Sequence, residues 1–316
     1  MLTYIFRRVL SAIPLLFGIT ILSFIIIQVA PGDPIDMLVD PSVSPEDREK
    51  FIEAYGLNDP MYVQYFRWVG NMIHGDFGES IVRKGMPVSE LIWSRLPNTL
   101  LLMLISALLA MLISIPFGIL SATKPYSKID YTVTTASFIG LATPSFWLGL
   151  ILIMVLSVHL NIFPTGGVST LNAPFSIWDR LHHLILPAFV LASADMAGLT
   201  RYTRSSMLDV VKQDYIRTAR AKGFKEGRVI YKHGLRNGLI PIITMFGLMI
   251  PGFIGGSVVV ETVFSWPGLG KLYVDHAFMR DYPVIMALTV ITAVFVVIGN
   301  LVADILYAIF DPRIEY

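Results

Sequence analysis

The chain has 316 residues, 54% of them apolar and only 15% charged, with a mean hydropathy of +0.66. Uncharged apolar runs at that density exclude an ordinary soluble domain and point to a helical membrane protein. The net charge of +1 says little, because in a membrane protein the placement of charge decides topology, and the absence of cysteine excludes disulfide, metal-thiolate and thiol chemistry.

Six apolar runs reach the roughly twenty residues needed to cross about 30 Å of hydrocarbon. They fall near 9–29, 98–122, 133–158, 183–204, 239–260 and 285–310. The first follows Arg7 and Arg8 as a signal peptide would, but its apolar core runs to Val29 and no A-x-A site follows. It reads as a retained helix. The segment 30–97 is too long for a connector. Ser44-Pro45-Glu46-Asp47 reads as an N-cap, an N1 proline and an acidic first turn, with Gly56 as the stop. Asp59-Pro60 repeats the start signal before Tyr62, Tyr65, Phe66 and Trp68. Two short helices against the outer face are expected, either as a packed cap or as a docking surface for a delivery partner.

Within the later spans, prolines and glycines mark where helices can bend: Pro144, Pro187, and the pairs Pro251-Gly252 and Gly255-Gly256. The last cluster is the hinge candidate, since its span begins directly after the basic loop described below. Ionisable residues in spans are costly and so are functional candidates. Asp195 lies mid-span, with a helix contact to nearby Ser or Thr as the bland reading; Glu261 and Asp304 lie at span edges and read as structural. His159, His182, His183 and His276 flank spans and read as interfacial, for no H-E-x-x-H or G-x-S-x-G signature accompanies them. An enzyme is not expected.

With both termini placed in the cytoplasm, 15 of the 24 Lys and Arg residues fall on inner segments. Among short loops that bias fixes the orientation. Most of it comes from 205–241, which carries Lys212, Arg217, Arg220, Lys222, Lys225, Arg228, Lys232 and Arg236 against Asp209, Asp214 and Glu226. Leu208, Val211, Tyr215 and Ala219 form one helical stripe, Gly223 interrupts it, and a second short helical run follows from Phe224. Such a loop suits anionic lipid headgroups, a solvated face, or a knob for a cytoplasmic partner.

The order of residues favours the knob. Asp214-Tyr-Ile-Arg-Thr-Ala-Arg-Ala-Lys-Gly223, then His233-Gly-Leu-Arg-Asn-Gly-Leu-Ile-Pro241, resembles the cytoplasmic coupling loop of ABC importer permeases, the EAA motif. Arg217, Thr218 and Ala219 take the EAA positions, so only the second Ala matches the general consensus. That departure, and the long spacing from Gly223 to Pro241, are habits of the peptide/nickel branch. Further likeness to that branch runs through Val29-Ala-Pro-Gly-Asp-Pro34, Gly56-Leu-Asn-Asp-Pro60, Gly75-Asp-Phe-Gly78, Arg95-Leu-Pro-Asn-Thr99, Pro144-Ser-Phe-Trp-Leu-Gly149 and Phe264-Ser-Trp-Pro-Gly-Leu-Gly270. The chain is similar to the B-type permease subunit of an oligopeptide or dipeptide importer.

The resemblance implies an all-α membrane protein with six transmembrane helices, both termini cytoplasmic, and a type I ABC importer permease-like bundle. Residues 1–97 would hold the first helix and the long extracytoplasmic loop. Residues 98–316 would hold a five-helix core with the coupling loop near 205–238. Asp214, Tyr215, Arg217, Thr218, Ala219, Arg220, Ala221, Lys222, Gly223 and Phe224 would meet an ATPase. Asp195, Pro251, Gly252, Gly255 and Gly256 are pathway or hinge candidates. Implied partners are a second homologous permease, two cytoplasmic ATPases, an extracytoplasmic peptide-binding protein and membrane lipids, with no nucleic acid. The chain lacks a G-x-x-x-x-G-K-[ST] loop, so it would not hydrolyse ATP, and ATP and Mg would belong to the partners; no cofactor or metal bound by the chain itself is expected. The expected location is a bacterial or archaeal inner membrane. The competing reading is a secondary transporter or channel independent of ATP, which would show internal repeats that the chain lacks.

Overall fold

The structure is a computed structural model that describes residues 2–29 and 58–310. Helices dominate these residues and no strand occurs among them, as the lack of water in a bilayer core requires of a chain that is not a barrel. They are α1 (Leu2–Val29), α2 (Met61–Ile73), α3 (Val88–Thr123), α4 (Lys128–Ala142), α5 (Ser145–Leu152), α6 (Ile177–Val211), α7 (Asp214–Ala221), α8 (Leu235–Val263), α9 (Leu269–Phe278) and α10 (Tyr282–Phe310). The helix expected at Ser44–Gly56 and the terminal Arg313 lie outside the described residues.

Among the described residues four helices are long and apolar enough to cross a membrane: Phe6–Ile26, Val88–Thr123, Ile177–Val211 and Tyr282–Ile305. The single span expected over 133–158 is instead two helices bent by 106°. Thr143 is extended (φ −88°, ψ 120°) because Pro144 follows it, and Pro144 then starts α5. Proline bars the α conformation before it and donates no hydrogen bond into the preceding turn. Counted as one span, the bent pair makes a fifth.

The core is the α3–α6 pair. Leu102, Ala110, Leu184, Leu186, Ala188 and Val190 pack with Val260 at the far end of α8 and with Phe264 and Trp266 just beyond it. Small residues set how closely these helices approach. A Cβ on Gly118 would fall 2.5 Å from the Thr203 side chain, so α3 and α6 touch nearly backbone to backbone there. A second cluster joins Val88, Leu91 and Leu96 of α3 to Leu269 and Leu272 of α9 and Val284 and Leu288 of α10. The opposite faces, with Leu104, Leu108 and Leu112 exposed, suit lipid.

The second outer helix expected after Asp59-Pro60 is α2. Its buried Tyr65 stacks edge-on against Phe17 and Phe24 of α1, 6.2 and 5.6 Å between centroids, and its hydroxyl shares a 2.8 Å hydrogen bond with Thr20. At the other end of α1, Arg8 Nε lies 3.1 Å from Asp304 of α10. This ion pair accounts for Asp304 as a structural group.

Candidate functional site

The basic loop begins where α6 ends. Gln213 leaves the helix with ψ 149° and α7 starts at Asp214. This break corrects the continuous stripe of Leu208, Val211, Tyr215 and Ala219. Once the chain turns at Lys212–Gln213 the helical register restarts, so Ile216 (1% exposed) and Ala219 (6%) face inward while Tyr215 sits on the exposed side. Ile216, Ala219 and Val229 form a small apolar knot with Val210 beneath it. Next to it Met207 and Ile230 pack on Ile119 and Ala122 at the end of α3. The loop is therefore anchored to two long helices of the bundle.

Gly223 ends α7 at φ +78°. Its N–H donates to Arg220 O at 2.9 Å, and the N–H of Phe224 donates to Ala219 O at 3.4 Å. These are the two bonds of a Schellman cap, whose left-handed residue is most often glycine. Beyond the turn, Arg220 grips Glu226 with Nη2–Oε1 2.7 Å and Nε–Oε2 3.2 Å. The Arg220 guanidinium holds the Glu226 carboxyl below its ordinary value. Phe224 stacks on His233 at 5.7 Å, with the Arg228 guanidinium 5.1 Å from its ring. A short helical turn Glu226–Arg228 and a π turn Val229–Gly234 lead into α8. Gly238 continues the close packing, since a Cβ there would meet Met207 Sδ at 2.6 Å.

The result is a two-sided knob. Ile216 and Ala219 fix it to the bundle; Asp214, Tyr215, Arg217, Thr218, Ala221, Lys222 and Phe224 lie exposed on the other side. Arg217 approaches Asp214 at 3.5 Å with both side chains largely in solvent, so that pair adds little. The surface offered to a partner is rigidly held, basic and carries two aromatic side chains.

Residue spacing gave no sign of the cluster beside this knob. Arg204 of α6 binds Asp130 of α4 through two prongs, Nε–Oδ1 2.7 Å and Nη2–Oδ2 2.8 Å. Ser121 of α3 donates its hydroxyl to the same carboxylate, and the Tyr126 N–H donates at 2.8 Å. Arg204, Ser121 and Tyr126 together satisfy both oxygens of the buried Asp130 carboxylate. One ion pair thus ties three helices beside the loop.

Other candidates separate by their partners. Asp195 on α6 is half-buried and has no hydrogen-bond partner among the described residues. The expected contact to Ser or Thr is not formed: Ser193 donates to Val190 O and Thr200 to Met196 O. Pro251, Gly252, Gly255 and Gly256 lie in α8, which runs through all four without interruption. Glu261 is buried; it accepts from Thr99 Oγ1 at 2.8 Å and from the Lys271 N–H at 3.0 Å, capping the start of α9.

Two histidines read as interfacial are in fact buried. His183 donates to Asp179 O at 2.8 Å, and His276 donates to Asp281 at 2.9 Å. Asp281 also accepts the Ser80 hydroxyl and the Ile81 N–H. Ser80, Asp281 and His276 look like a hydrolytic set, but the serine proton points at the carboxylate and not at the imidazole. All three are enclosed, so they form a structural clasp between residues 80–82 and the α9–α10 corner.

Comparisons with known proteins bear on the family and the fold. Residues 114–316 match the family described as "binding-protein-dependent transport system inner membrane component", and residues 1–103 match its N-terminal companion. The chain is 74% identical over 316 residues to the oligopeptide transport system permease protein AppB of Bacillus subtilis, covering all of both. It is 41% identical, again over the full length of both, to the glutathione transport system permease protein GsiC of Escherichia coli. Among solved structures, the inward-facing MetNI methionine ABC transporter gives a TM-score of 0.52 at 17% identity, covering 68% of this chain and 96% of that one. An amino acid ABC transporter crystallised with histidines gives 0.51 at 16%, covering 72% and 95%. These two likenesses concern the fold.

Proposed function

We infer the function from one premise: this chain belongs to the family of binding-protein-dependent transport system inner membrane components. It is the membrane-embedded permease subunit of an ABC importer for peptides, and the ATPase is a separate subunit. The full-length likeness to an oligopeptide permease carries that reading, and oligopeptides are the proposed cargo.

Six spans with both termini in the cytoplasm are proposed, supported by the charge bias of the short loops. Residues 1–97 supply the first span and the outer segment; 98–316 supply the five-helix core. The loop near 205–238 is proposed to sit in a groove of a cytoplasmic ATPase, supported by its exposed basic face and its buried anchor. The assembly pairs this chain with a second homologous permease, two ATPases and an extracytoplasmic peptide-binding protein in the inner membrane of a bacterium or archaeon. ATP and Mg are used by the ATPases. On ATP binding, closure of the ATPases pushes the loop, and the Asp130–Arg204 pair and the α3–α6 contact carry the push into the bundle. Pro251, Gly252, Gly255 and Gly256 are proposed as the place where α8 yields, and Asp195 as a pathway group.

Reconstitution tests this. The chain in proteoliposomes with its ATPases and binding protein is expected to import oligopeptides only when ATP is supplied. Peptide uptake that persists without the ATPase subunits would contradict it.

A further inference from the structure

At the end of the bundle opposite the basic loop, a partly enclosed cavity of about 170 Å³ lies between Arg83, Arg95 and α9. Its cations are Arg83, Arg95 and Lys271, and its one carboxylate, Asp275, is already held by Lys271 Nζ at 3.0 Å. The guanidinium groups of Arg83 and Arg95 have no partner among the described residues. The nearby acids do not neutralise them. Glu261 is occupied by Thr99 and the Lys271 N–H, and Asp281 by Ser80, His276 and the backbone of 81–82. Val82, Pro267, Leu272 and Met279 supply apolar wall.

Two guanidinium groups with no partner among the described residues, on one concave, partly apolar wall, match a carboxylate, which arginine binds through two parallel hydrogen bonds. The cavity is also larger than a carboxylate alone requires, since a single water needs only about 10–15 Å³ of such space. A peptide's last residue offers both halves of the match: a carboxylate for the arginines and a side chain for the apolar wall. A carrier of peptides with differing side chains can recognise only what they share, and the free C-terminus is one such group.

We propose that this cavity is a binding site for the C-terminal carboxylate of the peptide, used as cargo passes from the binding protein into the permease. The proposal rests on the peptide-importer reading and on the cavity facing outward. The clasp of Ser80, Asp281 and His276 holds one wall of the site in place, fixing residues 80–82 next to Arg83.

The test compares tetra-alanine as the free acid with its C-terminal amide. Uptake is measured by the complete importer in proteoliposomes with the binding protein saturated by either peptide, so that its own preference drops out. The wild type is expected to import the free acid about tenfold faster, as the loss of charge-assisted hydrogen bonds implies. Combined Arg83→Gln and Arg95→Gln replacement is expected to lower the free-acid rate to that of the amide and leave the amide rate unchanged. Arg83→Lys with Arg95→Lys, which keeps the charge, is expected to retain most of the preference. An equal fall for both peptides, as loss of binding-protein docking or of folding would give, overturns the site, and so does an unchanged ratio. A wild-type importer that takes up neither peptide overturns the functional reading itself, and this assignment with it.

Discussion

Asp130 and Arg204 stand 74 positions apart in the chain and meet in a two-pronged ion pair, 2.7 and 2.8 Å, where α3, α4 and α6 converge beside the basic loop. The carboxylate is buried, and besides the Arg204 guanidinium it accepts from the Ser121 hydroxyl and the Tyr126 N–H, so its donors come from three separate segments. An ion pair of this kind sets geometry more than it adds net stability, but breaking it leaves a charge without its partner.

Replacing Asp130 by Asn is therefore expected to destabilise the chain by about 2–3 kcal/mol, below the ~3–5 kcal/mol of a fully buried pair because Arg204 keeps some solvent contact. Thermal unfolding in detergent should show a lower midpoint for Asp130→Asn than for the wild type. An equal midpoint would show that the pair does not hold the three helices together.

Gly223 allows a sharper comparison. At φ +78° a β-branched residue is strained while Asn is tolerated. Gly223→Val is expected to reduce ATP-dependent uptake at least tenfold, and Gly223→Asn to keep most of it, with both variants assembling. Equal uptake by the two would mean that the Schellman turn does not matter to transport.

Asp195 is a half-buried carboxylate with no hydrogen-bond partner among the described residues, and such groups cost stability where function does not require them. Asp195→Leu is expected to leave the melting temperature unchanged or raise it, by the equivalent of about 1 kcal/mol, while uptake falls. A lower melting temperature would assign Asp195 to the fold and not to the pathway.

The loop after α8 packs without slack. A Cβ on Gly270 would fall 2.5 Å from the backbone of Val258, which cannot swing aside. Gly270→Ala is expected to cost about 1–3 kcal/mol as overpacking, read as a lower midpoint in thermal unfolding. An unshifted midpoint would mean that α9 moves away from α8 without penalty.

Much of this architecture is legible along the chain because the bilayer writes it there: hydrocarbon thickness fixes the length of apolar runs such as 98–122. The turn at Gly223 is legible for a local reason, the left-handed backbone that glycine tolerates. The break at Lys212–Gln213 carries neither glycine nor proline, so the stripe through Tyr215 reads as continuous in the sequence until packing of Ile216 decides the register. Pro144 marks a bend, but nothing in the residue spacing gives its 106°. Pairings such as Arg204 with Asp130, or Ser80 with Asp281, join residues on different helices and have no periodic signature. The two arginines of the outer cavity are similarly silent, being close only in the fold.

The central claim is that the exposed face of α7 meets an ATPase subunit and not lipid. Because the chain has no cysteine, a single Thr218→Cys carries a benzophenone label at one defined, exposed position. Illumination of the complete importer in a lipid bilayer is expected to cross-link this chain to an ATPase subunit. Labelling confined to lipid, with no ATPase adduct, would contradict the account.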